Sequence, residues 1–123
     1  MILVDTSIWI DHLQRTAADL VALLENAEVC VHPMIIGELA LGSLRDRSVI
    51  LSLLDDLPGI PVATHAEVLQ LIESHALYGT GLSFIDAHLL AALRLSSTAK
   101  LWTRDRRLES AAKRLGVAAN STT

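Results

Sequence analysis

Apolar residues recur along this chain in two rhythms. Short runs with β-branched members read as buried strands; longer stretches with apolar residues three and four apart read as helices. Ile2-Leu3-Val4 is the first strand, closed by Asp5. Asp5, Thr6 or Ser7 can cap a helix reaching about Gln14. A second helix fits Ala17 to Ala27, with Leu20, Val21, Leu23 and Leu24 on its apolar side. Val29-Cys30-Val31 is the next strand. Pro33 suits a helix start, and Met34 to Ser43 continues it. Ser48 to Leu57 is helical and stops at Pro58-Gly59. Ile60-Pro61-Val62 reads as a short edge strand, because proline cannot donate to a ladder. Ala66 to Leu77 is helical, and Tyr78-Gly79-Thr80-Gly81 is a loop. Ser83 to Leu95 is a strongly apolar helix. Lys100 to Thr103 is a strand, and Asp105 to Leu115 a helix ending at Gly116. Val117 to Ala119 makes a last short strand.

Strands alternating with helices predict an α/β fold: a central, mostly parallel β-sheet flanked by α-helices on both faces. In such sheets ligands bind beyond the carboxyl ends of the strands. The 123 residues fit a single domain, 1–123, with 119–123 as a frayed tail. Aromatic residues are only 3% of the chain, so the core must be built from Leu, Ile, Val and Ala. Cys30 is the only cysteine, which rules out an intrachain disulfide or a cysteine-based zinc site. With no basic segment before the first apolar run and no apolar run of about 18–20 residues, neither a signal peptide nor a membrane span is expected. A reducing cytoplasm is the expected setting.

The formal net charge of −4 argues at first against a nucleic-acid partner. Its distribution argues otherwise. Residues 1–93 hold three arginines against twelve acids; residues 94–123 hold seven basic residues against two acids, so the two stretches carry −9 and +5. A basic segment of this kind is either a polyanion contact or the solvated side of a helix.

Four acids stand in telling places. Asp5 and Asp105 follow the ends of strands that should be parallel. Glu38 lies within Met34-Ile35-Ile36-Gly37-Glu38-Leu39-Ala40-Leu41, and Asp86 within Phe84-Ile85-Asp86-Ala87-His88-Leu89-Leu90. A lone carboxylate in apolar surroundings costs several kcal/mol to desolvate unless it is paired or bound to metal. Four gathered together would repel, and a divalent cation removes the conflict. Hard oxygen ligands without thiolate suit Mg²⁺ or Mn²⁺. Each acid also has a plain structural explanation. Asp5 and Asp105 can cap the helices that follow them. Asp86, three residues after Ser83, fits a variant capping box. Glu38 could sit at a solvated helix edge.

Four segments then carry a resemblance: Val4-Asp5-Thr6-Ser7-Ile8-Trp9, Gly37-Glu38-Leu39-Ala40-Leu41-Gly42, Asp86-Ala87-His88-Leu89-Leu90-Ala91-Ala92 and Leu101-Trp102-Thr103-Arg104-Asp105. Each is unspecific by itself. In this order and at these separations the chain resembles PIN-domain ribonucleases of the VapC toxin type, over residues 2 to about 118. The resemblance implies a PIN-like parallel sheet between helices. It also implies an endoribonuclease whose catalytic acids are Asp5, Glu38, Asp86 and Asp105, with Asp5, Asp86 and Asp105 on Mg²⁺ or Mn²⁺. Ser7 and Thr103 would be supporting polar groups, though Ser7 also reads as a cap. The implied partners are RNA, a cognate VapB-type antitoxin and a second copy of the chain, with no membrane.

Arg104, Arg106 and Arg107 flank Asp105 and are candidates for holding the RNA backbone, because an acidic site alone repels it. The plain alternative pairs Arg106 or Arg107 with Glu109. The five histidines show no metal-ligand spacing, and Trp9 and Trp102 read as core. A receiver domain would need paired acids after the first strand and a late lysine. A haloacid-dehalogenase-like phosphatase would need an acid where Ser7 stands. A non-catalytic binding module would not need all four acids.

Overall fold

The computed structural model describes residues 1–119. Its elements, in chain order, are β1 (Ile2–Val4), α1 (Thr6–Gln14), α2 (Ala18–Glu25), β2 (Val29–Cys30), α3 (Pro33–Ala40), α4 (Arg47–Asp55), α5 (His65–Ser74), α6 (Phe84–Leu95), β3 (Lys100–Trp102) and α7 (Arg106–Arg114). The sheet is parallel with order β2-β1-β3. Leu3 pairs with Cys30 on one side and Leu101 on the other. Two single bridges widen it: Gly59 lies parallel to Val31, and Ala118 to Leu101.

Successive strand residues point to opposite faces. Leu3, Val4, Val29, Cys30 and Leu101 are all buried, so both faces of the sheet are covered, as expected for parallel strands. One cluster runs from these residues through Ile8, Leu20, Ile35, Leu39, Leu89, Leu90, Leu93 and Leu108. It is aliphatic, with Trp9 as its buried aromatic ring. No helix is long and apolar enough to cross a membrane among the described residues.

Two expected strands are reduced and shifted. The Ile60–Val62 strand is replaced by a bridge at Gly59, with Val31 N–H donating to Pro58 O and Ile60 N–H donating to Val31 O. Pro61 then offers no donor, and pairing stops. The Val117–Ala119 strand is also a single bridge, held by Leu101 N–H to Val117 O and Ala119 N–H to Leu101 O. Ala119, expected to begin the frayed tail, is thereby tied to the sheet. The rest of that expected tail, 120–123, lies outside the described residues.

Two helix ends differ from the sequence reading for the same reason. α2 and α5 stop at Glu25 and Ser74 rather than at Ala27 and Leu77. The chain turns left-handed at Ala27 (φ 54°) and Ala76 (φ 50°), with no glycine to announce it. Glu28 N–H then donates to Leu23 O, and Leu77 N–H to Ile72 O, closing both helices. α7 closes in the same way at Gly116 (φ 73°). α3 ends at Ala40, short of Ser43.

His32 caps α3 from inside the core. Its Nδ1 accepts from Met34 N–H at 3.0 Å, and the ring is fully buried. Burial, with His88 nearby, lowers its pKa to about 4, so it is neutral at physiological pH.

Ala27 and Ala76 are exposed, and each spends about 1 kcal/mol on a conformation glycine adopts freely. Ala27→Gly and Ala76→Gly should each stabilise the fold by roughly 0.5–1 kcal/mol. Urea unfolding with unchanged m-values is the check; destabilisation would contradict this account of the helix ends.

Candidate functional site

In the strand order β2-β1-β3, the chain leaves β1 to one side for β2 and returns on the other side as β3. The carboxyl ends of β1 and β3 therefore border the crevice where open α/β sheets bind ligands. Asp5 follows β1 directly, and its N–H donates to Trp102 O at 3.0 Å, which locks the two strand ends together.

Asp5 stands at the N-cap position of α1, yet its side chain makes no capping hydrogen bond. The capping explanation fails for this residue. The carboxylate is buried, and its Oδ2 accepts from Thr103 Oγ1 at 2.7 Å and from Ser7 Oγ at 3.3 Å. Thr103, itself buried, also accepts from Asp105 N–H at 3.0 Å. One hydroxyl thus fixes the acid after β1 and the backbone of the acid after β3. Ser7 Oγ also accepts from Arg104 N–H at 3.4 Å, so it bridges the same two loops instead of capping α1.

Asp105 and Asp86 do cap helices. Asp105 Oδ1 accepts from Arg107 N–H at 2.9 Å and Leu108 N–H at 3.1 Å. Asp86 and Ser83 form a reciprocal capping box at 3.1 Å each way. Capping uses one oxygen and leaves the other, so it does not compete with a second role. Burial pushes the Asp86 carboxyl above the usual carboxylate range. The Ser83 hydrogen bonds oppose this, and the negative charges of Asp5 and Asp105 add to it. Those two acids are therefore close enough to repel Asp86.

Glu38 joins through Thr6, which the sequence reading took only as a possible helix cap. Thr6 Oγ1 donates to Glu38 Oε1 at 2.9 Å, tying α3 to the start of α1. Its signal was present as the middle side chain of Asp5-Thr6-Ser7, where two adjacent hydroxyls follow the acid.

Among the described residues, none of the four acids forms an ion pair. The two ion pairs are Arg104–Asp11 at 2.8 Å and Lys113–Glu109 at 3.4 Å. One oxygen of each acid accepts no hydrogen bond from a described residue: Asp5 Oδ1, Glu38 Oε2, Asp86 Oδ1 and Asp105 Oδ2. An oxygen-only donor set with uncompensated negative charge fits a hard divalent cation. No three acids, histidines or cysteines among the described residues are already arranged as direct ligands of one ion. The fit is one of charge and donor chemistry.

Arg104, Arg106 and Arg107 are exposed beside this site. Arg104 is engaged by Asp11, and Glu109 takes Lys113 rather than Arg106 or Arg107. Trp9 is buried and Trp102 half-buried, as core residues. His12, near the first motif, accepts from Ala17 N–H at 3.0 Å and ties down the end of α1.

Comparison with known families matches residues 2–114 to the PIN domain. The chain belongs to the PIN-domain family. A relative in two strains of Mycobacterium tuberculosis, CDC 1551 / Oshkosh and H37Rv, is named Ribonuclease VapC32. It is 52% identical over 118 residues, covering 96% of this chain and 95% of the relative. The α/β fold read from the sequence is the PIN fold, and the likeness is to its VapC type.

Asp86 carries an unfavourable charge at neutral pH in the metal-free protein. With its folded pKa raised, that cost vanishes below the ordinary carboxylate range and appears as pH rises through the folded pKa. Asp86→Asn keeps a capping oxygen and removes the charge, so it should raise Tm in EDTA at pH 7 and leave it little changed at pH 3.5. An equal or lower Tm at pH 7 would contradict the repulsion.

Proposed function

We propose that this chain is a divalent-metal-dependent endoribonuclease acting as the toxin of a VapBC-type toxin–antitoxin system. The carrying observation is a set of four acids at the sheet switch point, held by Thr6, Ser7, Ser83 and Thr103, with no cation among the described residues paired to any of them. The near full-length identity to a protein named a ribonuclease supports the substrate.

Asp5, Asp86 and Asp105 are the residues that would hold Mg²⁺ or Mn²⁺. Such an ion neutralises charge on a scissile phosphate and acidifies the attacking water. Buried Asp5, fixed by two hydroxyls, supplies the rigid part of the set. Glu38 is oriented through Oε1 by Thr6, and its Oε2 is free to take a proton from the attacking water. Arg106 and Arg107, without carboxylate partners among the described residues, hold the RNA backbone against the repulsion of the acids. Arg104 reaches RNA only by leaving Asp11.

A cognate VapB-type antitoxin and a homodimer belong to the same proposal, as does action in the cytoplasm. Leu41, Val49 and Leu53, at 90%, 56% and 59% exposure, offer a protein partner apolar surface around α3 and α4. A non-catalytic binding module would have no use for four unpaired acids.

Expression of the chain alone, followed by mapping of RNA 5′ ends, tests this reading. Discrete new ends should appear with the parental chain and be absent with Asp5→Ala. In purified form, Asp5→Ala and Asp86→Ala should each slow Mn²⁺-supported cleavage by at least about 100-fold. Parental rates in both variants would overturn the assignment.

A further inference from the structure

Two cavities meet at the 78–81 loop between α5 and α6. One, of about 260 Å³, is lined by Arg106, Arg107 and Arg114, with the Thr80 and Ser110 hydroxyl groups. The other, of about 240 Å³, is lined by Tyr78, Phe84 and aliphatic side chains. Thr80 belongs to both walls. The first is cationic; the second is aromatic and apolar.

The three arginines converge by helical spacing, since residues 106, 110 and 114 share one face of α7 and 107 lies beside them. None has a carboxylate within ion-pair distance among the described residues. Arg114 is steadied by donating from Nη2 to His75 O at 2.6 Å. Arg107 packs against Gly81, where a Cβ would lie 2.7 Å from its Nη1. Three guanidinium ions converge on a cavity that holds no acid, so an anion is the complement they lack.

The aromatic wall has an equally specific character. Tyr78 is 64% exposed on its loop. Phe84 is 44% exposed, and its ring is held edge-on by His88 at 4.8 Å. Exposed aromatic faces beside a cationic groove are how proteins grip unpaired bases. Ser83, which caps the helix carrying Asp86, lines the same cavity, so the double cavity adjoins the acidic centre.

We propose that this double cavity is a subsite for one unpaired nucleotide of the RNA substrate. A phosphate sits on Arg106, Arg107 and Arg114, and the base lies against Tyr78 and Phe84. The inference rests on the ribonuclease reading and adds a requirement to it: the RNA must be single-stranded at this position, because a base stacked within a duplex cannot enter.

The test is fluorescence anisotropy of labelled RNA with the Asp5→Asn chain in EDTA, which separates binding from cleavage. A single-stranded oligonucleotide should bind more tightly than a duplex of the same sequence. Adding Tyr78→Ala should weaken single-strand binding roughly 5- to 100-fold and leave its salt dependence unchanged. Adding Arg107→Gln should weaken binding and reduce the slope of log affinity against log salt by about 0.7. Gly81→Ala should reproduce the Arg107→Gln result by displacing that side chain. Gly79→Ala, with a similar left-handed backbone and no atom within 4 Å of an added Cβ, should not. Unchanged affinity and slope in both Tyr78→Ala and Arg107→Gln would overturn the subsite, while cleavage by the parental chain would leave the nuclease reading standing. RNA binding that survives both substitutions while binding of an acidic peptide is lost would make the cavity a protein-docking site and overturn the proposal. If the parental chain neither binds nor cuts RNA, both readings fall.

Discussion

Negative charge without a counterion is the constraint on which this structure turns. Burial pushes the Asp86 carboxyl above the carboxylate range, the charges of Asp5 and Asp105 add to that push, and Glu38 is tied to the same corner through Thr6. The fold accepts that repulsion. It sends Arg104 to Asp11 and Lys113 to Glu109, when either cation placed among the acids would relieve the conflict. A protein selected for stability alone would neutralise such a cluster. Under the proposed reading, keeping it charged prepares the site for a cation from outside.

The constraint is met by hydroxyl groups. Thr103 donates to Asp5, 98 positions away in sequence, and accepts from the Asp105 backbone, so one side chain joins the two strand ends. Ser7 makes a second tie between the same loops, and Thr6 recruits α3. Hydroxyl groups serve here because they orient carboxylates without adding charge. The parallel register of β1 and β3 places these groups within reach, and the aliphatic core beneath sets that register. Sheet topology, core composition and site geometry are therefore one argument.

Much of this was legible in the sequence, and the failures share physical causes. The three strands and seven helices declared themselves through apolar spacing. The helix ends at Ala27 and Ala76 did not, because alanine gives no sign of a left-handed turn that tertiary packing imposes. The edge strands read at Ile60–Val62 and Val117–Ala119 come down to a single bridge each, at Gly59 and Ala118, because apolar β-branched residues mark a strand-like run and not how far it pairs. The four acids stood out by their places in the chain, and the resemblance rested on their order. Their capping roles were undecidable from spacing: Asp86 and Asp105 cap helices and Asp5 does not, a distinction that depends on side-chain direction. The pairing of Arg104 with Asp11 and the convergence of Arg106, Arg107 and Arg114 on the 78–81 loop are contacts between distant segments, with no local signature.

Direct titration with Mn²⁺, followed by calorimetry or by loss of the free-ion electron paramagnetic resonance signal, tests the central claim without any RNA. The account predicts saturable binding at pH 7.5 that weakens as the pH falls toward the carboxylate range, because protons compete for the same oxygens. It also predicts marked weakening in Asp5→Asn, with the fold verified by circular dichroism. Absence of saturable binding at millimolar Mn²⁺, or undiminished binding in a folded Asp5→Asn chain, would contradict it.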